Sequence, residues 1–230
     1  MQENDVQKNI DLIRQKISNA CAFSKRDPKS VTVVAASKTV SPEKIREAFN
    51  GGIRDFGENY VQDALSKMEV LSDLPIRWHL IGTLQSNKVK PIADRFWLIH
   101  SIDRLSTVKQ ISERSLRRQY LLIEVNLAGE TTKSGVPVEA LPALLEQAQK
   151  LEFVRVCGLM FMPPPQLSES EQRKYFQSAR ELRDEMMTNV STPHSLNELS
   201  MGTSDDFEAA IKEGATLVRL GTAIFGNRKY

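Results

Sequence analysis

Cysteine is scarce in this chain. Its 230 residues include two, Cys21 and Cys157, too few for a disulfide framework and too far apart for a CxxC redox pair. Both sit among apolar residues and read as small core groups. An excess of one charge is also missing: 31 Lys and Arg stand against 29 Asp and Glu, a formal net charge of +2. That balance gives no electrostatic case for nucleic acid or an anionic membrane as partner. Arg114, Arg117 and Arg118 lie at helical spacing and read as a solvated helix face. No apolar run approaches membrane-spanning length. The polar start, Met1-Gln2-Glu3-Asn4-Asp5, lacks the apolar core of a secretion signal, so a cytoplasmic location is expected. The glycine-rich loop of dinucleotide-binding folds and the nucleotide-binding P-loop are absent too. The three histidines have no metal-ligand spacing, so no metal is expected.

What is present is alternation. Val6, Ile10, Ile13, Ile17 and Cys21 form a helical stripe. Short runs rich in β-branched and apolar residues then predict strands at 31–36, 53–56, 77–81, 97–100, 120–125, 154–161, 198–200 and 216–220. Amphipathic segments predict helices at 42–49, 61–71, 85–94, 105–117, 140–151, 170–187 and 206–213. Eight such alternations without a break in composition predict an α/β fold: a single (β/α)8 TIM barrel over residues 1–230, with one extra N-terminal helix. A doubly wound open sheet competes, but usually has fewer strands.

In such a barrel, function gathers at the carboxyl ends of the strands. Those ends supply Lys38, Asn59, Thr83, Ser101, Asn126, Met162, Gly202-Thr203-Ser204 and Gly221-Thr222. Lys38 follows the buried run Val31–Ala36, and Ser41-Pro42 then opens a helix. Desolvation at that place favours a neutral amine, the nucleophile that forms a Schiff base with a carbonyl compound. The competing reading is a lysine snorkelling out of a strand end. Ser200 to Ser204 and Gly221-Thr222 would present hydroxyls and backbone N–H groups to an anion, at the usual barrel phosphate position. Ordinary capping by Thr203 and Ser204 competes. Arg219 lies inside the apolar run Thr216–Leu220. Facing inward, it could donate to a heterocyclic nitrogen; otherwise it needs a salt bridge to Asp205, Asp206 or Glu198.

The segments VVAASKTV, FGENYVQ, WHLIGTLQSNK, CGLMFM, LSMGTSDDFEAAI and VRLGTAIFG occur in that order, from about Val31 to Arg228. Together they resemble the YggS/PROSC family of pyridoxal-phosphate homeostasis proteins. The last segment is also similar to the matching strand of fold-type III enzymes such as alanine racemase. The resemblance implies one barrel that holds pyridoxal 5′-phosphate as a Schiff base on Lys38. It implies that Arg219 faces the pyridine nitrogen and that Ser200, Ser204, Gly221 and Thr222 hold the phosphate. Asn59 and His79 are implied to lie near the cofactor. The implied role is binding, buffering and transfer of the cofactor in vitamin B6 and amino-acid homeostasis, without catalytic residues. Recipient apo-enzymes that use the cofactor are the implied partners, and a monomer or weak dimer is expected. The runner-up is an amino-acid racemase or Schiff-base lyase of low activity.

Physical chemistry favours the carrier over the enzyme. An arginine keeps the pyridine nitrogen unprotonated, which makes the ring a weaker electron sink. A racemase also needs an acid/base group on each face of its substrate, and beyond Lys38 no second one is evident. Only Tyr60 among the 4 tyrosines lies near a strand end. The chain ends 10 residues after Leu220, so the second domain that supplies this group in racemases is expected to be missing. His79 reads as a packed histidine on a strand face. Lys133, in the loop Thr132-Lys133-Ser134-Gly135, is the competing lysine.

Overall fold

Alternating side chains on a strand point to opposite faces, and in this chain both faces are apolar enough to be covered. The computed structural model describes residues 6–130 and 134–226; Lys133 lies outside them. Eight parallel strands form the barrel: β1 (Thr32–Ala36), β2 (Asp55–Glu58), β3 (Arg77–Leu80), β4 (Leu98–Ile102), β5 (Gln119–Asn126), β6 (Val154–Met160), β7 (Glu198–Ser200) and β8 (Leu217–Leu220). Each pairs with the next, and β8 pairs back onto β1, with Val34 opposite Arg219. Closure leaves no exposed sheet edge in the ring. A two-residue strand, Val136–Pro137, adds to the end of β5 outside it.

The intervening helices are α1 (Val6–Phe23), α2 (Pro42–Asn50), α3 (Val61–Val70), α4 (Val89–Ile92), α5 (Leu105–Arg114), α6 (Leu141–Ala148), α7 (Glu169–Met186), α8 (Phe207–Lys212) and α9 (Thr222–Phe225). Outward strand residues such as Ala35, Phe56, Leu80, Ile99 and Val218 join the helix faces in the main core. Inward residues Val34, Leu98, Leu122, Met160 and Leu217 form a second, smaller cluster inside the barrel.

The N-terminal helix has a structural reason. Among the described residues the last strand is followed by α9, a single turn that is too short to cover β8 and β1. Helix α1 fills that place in the outer ring, packing on α2, α8 and α9. Its stripe Val6, Ile10, Ile13, Ile17 is buried. Asn9 Nδ2 donates to Ile224 O at 2.9 Å, and Lys16 pairs with Glu208 at 2.9 Å.

Two helices and one cysteine depart from the sequence-based expectation. A full helix over 85–94 does not form; Ser86–Lys88 is a 3-10 turn and α4 is a single turn. Pro91 is the cause, because deep in a helix it would remove one hydrogen bond and collide with the preceding turn. Helix α5 stops at Arg114, since Ser115 is extended and the Asp94 carboxylate accepts the Leu116 and Arg117 N–H groups instead. Arg117 and Arg118 therefore lie off the helix, on a cavity of about 550 Å³ beside Trp97. Cys157 is only partly buried and packs on the barrel-interior cluster, whereas Cys21 is fully buried.

Gly158 is needed where β6 meets β7. A Cβ there would sit 1.9 Å from Glu198 O, and strand backbone cannot yield as a side chain end can. Gly158→Ala is expected to lower unfolding free energy in urea by about 1–3 kcal/mol, the usual range for overpacking. Unchanged stability would mean that β6 and β7 can separate freely.

Candidate functional site

A cavity of about 500 Å³ opens at the carboxyl ends of the strands. Lys38, Asn59, Ser204, Arg219, Gly221 and Thr222, all expected from the sequence, line it. Lys38 is half-buried just beyond β1, and its backbone is held by a buried clamp. The Ser37 N–H donates to Gly57 O at 2.9 Å, and Ser37 Oγ donates to Glu58 Oε1 at 2.6 Å. Lys67 Nζ reaches the same carboxylate oxygen and Ser37 O, each at 2.7 Å. The Lys38 amine itself has no hydrogen-bond or ion-pair partner among the described residues. Asn59 is brought to the rim by a close crossing of loops. A Cβ on Gly82 would lie 2.3 Å from Asn59 O, so only glycine fits there.

The opposite wall is rich in N–H donors. The competing reading, capping of α8 by Ser204, does not hold: that helix starts at Phe207, and Thr203 bonds to Asp206 through both N–H and hydroxyl. Ser204 instead faces the start of α9, where its Oγ accepts from Gly221 N at 3.1 Å and Ala223 N at 3.2 Å. The backbone N–H groups of Ser204 and Thr222 have no partner among the described residues. Two loops, one after β7 and one after β8, thus aim free donors at the cavity, the geometry of an anion cradle.

Arg219 makes no salt bridge to Asp205, Asp206 or Glu198. It is 5% exposed. Its Nη1 donates to Ser200 Oγ at 2.6 Å, and its Nη2 donates to Phe161 O at 3.0 Å and contacts Met162 Sδ at 2.8 Å. Burial pushes its pKa down to about 10, against the pull of Asp206, Glu124 and Tyr175, so it is a cation at neutral pH.

Ser200 and His79 were expected at the cofactor, yet neither lines the cavity. Both point into the barrel below Arg219 and are almost fully buried. They belong to a row of hydrogen bonds there. Ser200 Oγ is 2.9 Å from His100 Nδ1, His100 Nε2 is 2.9 Å from His79 Nδ1, and His79 Nε2 is 2.9 Å from Asp55 Oδ1. Arg77 closes the row with two bonds to Asp55, at 2.8 and 2.6 Å. Burial pushes both imidazoles below their ordinary range, His100 furthest, even though Asp55 pulls His79 the other way. Burial opposes ionisation of Asp55, but its bonds from His79 and Arg77 outweigh this and hold it below the usual carboxylate range.

Sequence reasoning missed Glu124. It sits near the carboxyl end of β5 and lines the cavity opposite Lys38's strand. Burial, with Asp103, raises its pKa, and Arg219 lowers it. The expectation that no second acid/base group is evident beyond Lys38 overlooked this carboxyl on the cavity wall. The signal was present: a carboxylate within the apolar run Leu121–Val125, the same kind of anomaly that marked Arg219.

The chain as a whole has known relatives. The family model described as "Alanine racemase, N-terminal domain" matches residues 2–229. A protein of Aquifex aeolicus named "Pyridoxal phosphate homeostasis protein" is 46% identical over 226 residues, covering 96% of this chain and 97% of the relative. The structure of PipY from Synechococcus elongatus with PLP bound superposes with a TM-score of 0.81 at 36% identity, covering 92% of this chain and all of that one. An alanine racemase of Corynebacterium glutamicum shares the fold, with a TM-score of 0.72 at 13% identity over 95% of this chain and 62% of its own.

The buried neutral imidazoles give stability a definite pH dependence. His79, His100 and, less buried, His194 all have folded-state pKa values below the ordinary one, which in the unfolded chain is about 6.5. Their contribution is complete above that pH and is lost as pH falls below it. Each ring that must gain a proton on unfolding adds a slope of about 1.4 kcal/mol per pH unit. Urea unfolding is expected to show stability falling between pH 7 and pH 5. A flat profile would show that the rings are already charged in the folded state.

Proposed function

Because the chain belongs to the family of pyridoxal phosphate homeostasis proteins, within the alanine racemase N-terminal domain family, we propose that it binds, buffers and delivers pyridoxal 5′-phosphate. A single observation carries the assignment of residues. An amine without a partner (Lys38), a buried guanidinium without a carboxylate (Arg219) and free backbone N–H groups (Ser204, Thr222) converge on one cavity of about 500 Å³. That volume falls in the range of small-molecule sites. The donor set matches an aldehyde, a ring acceptor and a phosphate carried on one small molecule.

When bound, the cofactor supplies an aldehyde that condenses reversibly with a primary amine and a ring that withdraws electrons. The chain's residues do the rest. Lys38, on a backbone fixed by the Ser37–Glu58–Lys67 clamp, would hold the cofactor through its amine. The N–H groups at Ser204 and Thr222, beside Gly221, would hold an anionic group, and Asn59 would offer its amide from the rim. Arg219 can only donate, so it requires a ring nitrogen with a free lone pair, and the ring then delocalises negative charge poorly. That electronic choice suits holding over turnover. Residues 1–230 act as one cofactor-binding domain, a monomer or weak dimer in the cytoplasm, and apo-enzymes that need the cofactor are the recipients.

Glu124 supports the second reading, a slow racemase or lyase, since it adds a titratable carboxyl to the cavity wall. Proton exchange at Cα of added amino acids decides between the two. Sustained exchange at about one per second or faster, an ordinary enzyme rate, would favour the enzyme.

Titration followed by absorption and by mass after borohydride trapping tests the main reading. Wild type is expected to take up pyridoxal phosphate covalently, and Lys38→Ala is expected to lose both the visible band and the trapped adduct. Pyridoxal, which lacks the phosphate, should bind at least about tenfold more weakly, the loss expected for one charge-assisted hydrogen bond or more. An unchanged adduct in Lys38→Ala would move the attachment to another lysine. Equal affinity for the two vitamers would remove the anion cradle.

A further inference from the structure

Arg219 does not stand alone under the cavity, and the row of groups beneath it has a direction. A guanidinium can only donate, so Ser200 Oγ accepts from Nη1 at 2.6 Å. The Ser200 hydroxyl has one proton to give, and His100 Nδ1 lies 2.9 Å away. A serine oxygen has two lone pairs and could accept here as well, but neutral rings ended by an acceptor-only Asp55 leave one order, with Nδ1 bare and the His100 proton on Nε2. His100 Nε2–H then faces His79 Nδ1 at 2.9 Å, so His79 Nδ1 is bare and its proton is on Nε2. His79 Nε2–H meets Asp55 Oδ1 at 2.9 Å, and ionised Asp55 can only accept. A donor-only cation and an acceptor-only anion fix the two ends. Each link between them has one solution.

Nothing in the surroundings relaxes this. His79 is 1% exposed, and His100 and Ser200 are fully buried, so water cannot reverse a link. A proton added to His100 would turn its Nδ1 into a donor and leave the Ser200 hydroxyl without an acceptor beside a cation. At the far end, Arg77 holds Asp55 through both carboxylate oxygens. The row also keeps the countercharge away from Arg219. A carboxylate touching the guanidinium would take up its N–H groups; a serine oxygen takes one and leaves Nε–H without a partner among the described residues.

We propose that Asp55, His79, His100 and Ser200 are positioning residues for Arg219: a one-way hydrogen-bond chain, anchored at the opposite end of the barrel, that orients its guanidinium and leaves it a free donor for the ring nitrogen of the bound cofactor. The purpose assigned to the chain rests on the cofactor reading above. Its direction does not.

Two measurements on the full-length protein test it. In the first, ¹⁵N NMR of the imidazoles without cofactor is expected to show both His79 and His100 neutral at pH 7, each with its proton on Nε2. A proton on Nδ1 of either ring overturns the chain. The second compares two variants of similar size, His100→Asn and His100→Leu, with pyridoxal phosphate as the probe. Asparagine places an oxygen near the former Nδ1 and can still accept from Ser200; leucine cannot. Affinity is expected to stay within about threefold of wild type in His100→Asn and to fall about tenfold in His100→Leu, the scale of a hydrogen bond to a charged group. The visible band of bound cofactor should shift only in His100→Leu.

Thermal midpoints separate positioning from plain packing, since leucine suits a buried apolar site at least as well as asparagine. If affinity follows the midpoint, or both variants bind equally, the row is structural only and the proposal fails. Should His100→Leu not fold, Ser200→Ala makes the same cut with a smaller change, and wild-type affinity in that variant overturns the proposal. Failure of wild type to bind pyridoxal phosphate would sink the cofactor reading and the purpose of the chain with it; the NMR result then still decides the chain's direction.

Discussion

Moving a cation from water into a protein interior costs several kcal/mol unless its hydrogen-bonding capacity is met. Arg219 is 5% exposed and has no carboxylate partner. Its N–H groups are met by a serine oxygen, a backbone carbonyl and a thioether. These neutral acceptors lower the cost without cancelling the charge, so the guanidinium keeps an outward pull on any acceptor that enters the cavity. The polar part of the barrel interior follows from this one placement. Ser200 must pass its proton on, His100 and His79 must stay neutral to receive it, and Asp55 must be ionised to end the row. Asp55 in turn needs Arg77, which lies half-exposed at the amino end of β3. The rest of the interior carries no such demand and is filled by Val34, Leu98, Leu122, Met160 and Leu217, interleaved with the polar row on neighbouring strands.

A contrasting solution stands beside Lys38. Two lysines approach the end of β1, and they are treated in opposite ways. Lys67 is locked by Glu58 at 2.7 Å in a pair with side chains 12% and 0% exposed. Lys38 is left without a partner among the described residues. A buried ion pair contributes little net stability compared with apolar packing, but breaking one is costly. Its effect is to fix geometry. Here it ties α3 to the carbonyl of Ser37 and occupies the second amine, which leaves Lys38 as the one lysine on the cavity wall among the described residues.

Much of this was legible in the sequence, for identifiable reasons. The strands announced themselves because β-branched runs such as Thr32–Ala36 and Tyr120–Val125 are confined to short stretches between turn residues. Their number gave the barrel, and the barrel rule turned strand ends into a list of wall residues that included Lys38, Asn59, Ser204, Gly221 and Thr222. Local signals failed where a single residue overrode the pattern, as Pro91 does in the segment before β4. They also failed for α9, a turn too short to show a period. Glu124 is hidden in the sequence because Asn126, the last residue of its strand, marks the strand end, and Glu124 lies two residues before it. The hydrogen-bonded row lay beyond sequence reasoning altogether. His79 and His100 are 21 residues apart, His79 and Asp55 24, and His100 and Ser200 100. No motif spans four strands, and only closure of the barrel brings these groups into contact. His79 and Ser200 were placed at the cofactor by the family resemblance alone; in the structure neither lines the cavity, and both lie in the row below Arg219.

The electronic character of the site and its architecture point the same way. A catalyst working through a pyridine ring gains most when the ring nitrogen is protonated, and the simplest way to secure that is a carboxylate beside it. This barrel has a carboxylate at the far end of the row, Asp55, and inserts a serine and two imidazoles between it and the arginine. Every inserted group is neutral and points its proton away from the cavity. Asp55 therefore cannot act on a ring at the cavity mouth except by polarising neighbours, an effect that fades with each link. What reaches the cavity is a fixed donor, which favours binding of an unprotonated ring and disfavours carbanion chemistry on it. With Lys38 left without a partner and free N–H groups of two loops at the mouth, the proposed holding role asks of the site only groups that it already presents.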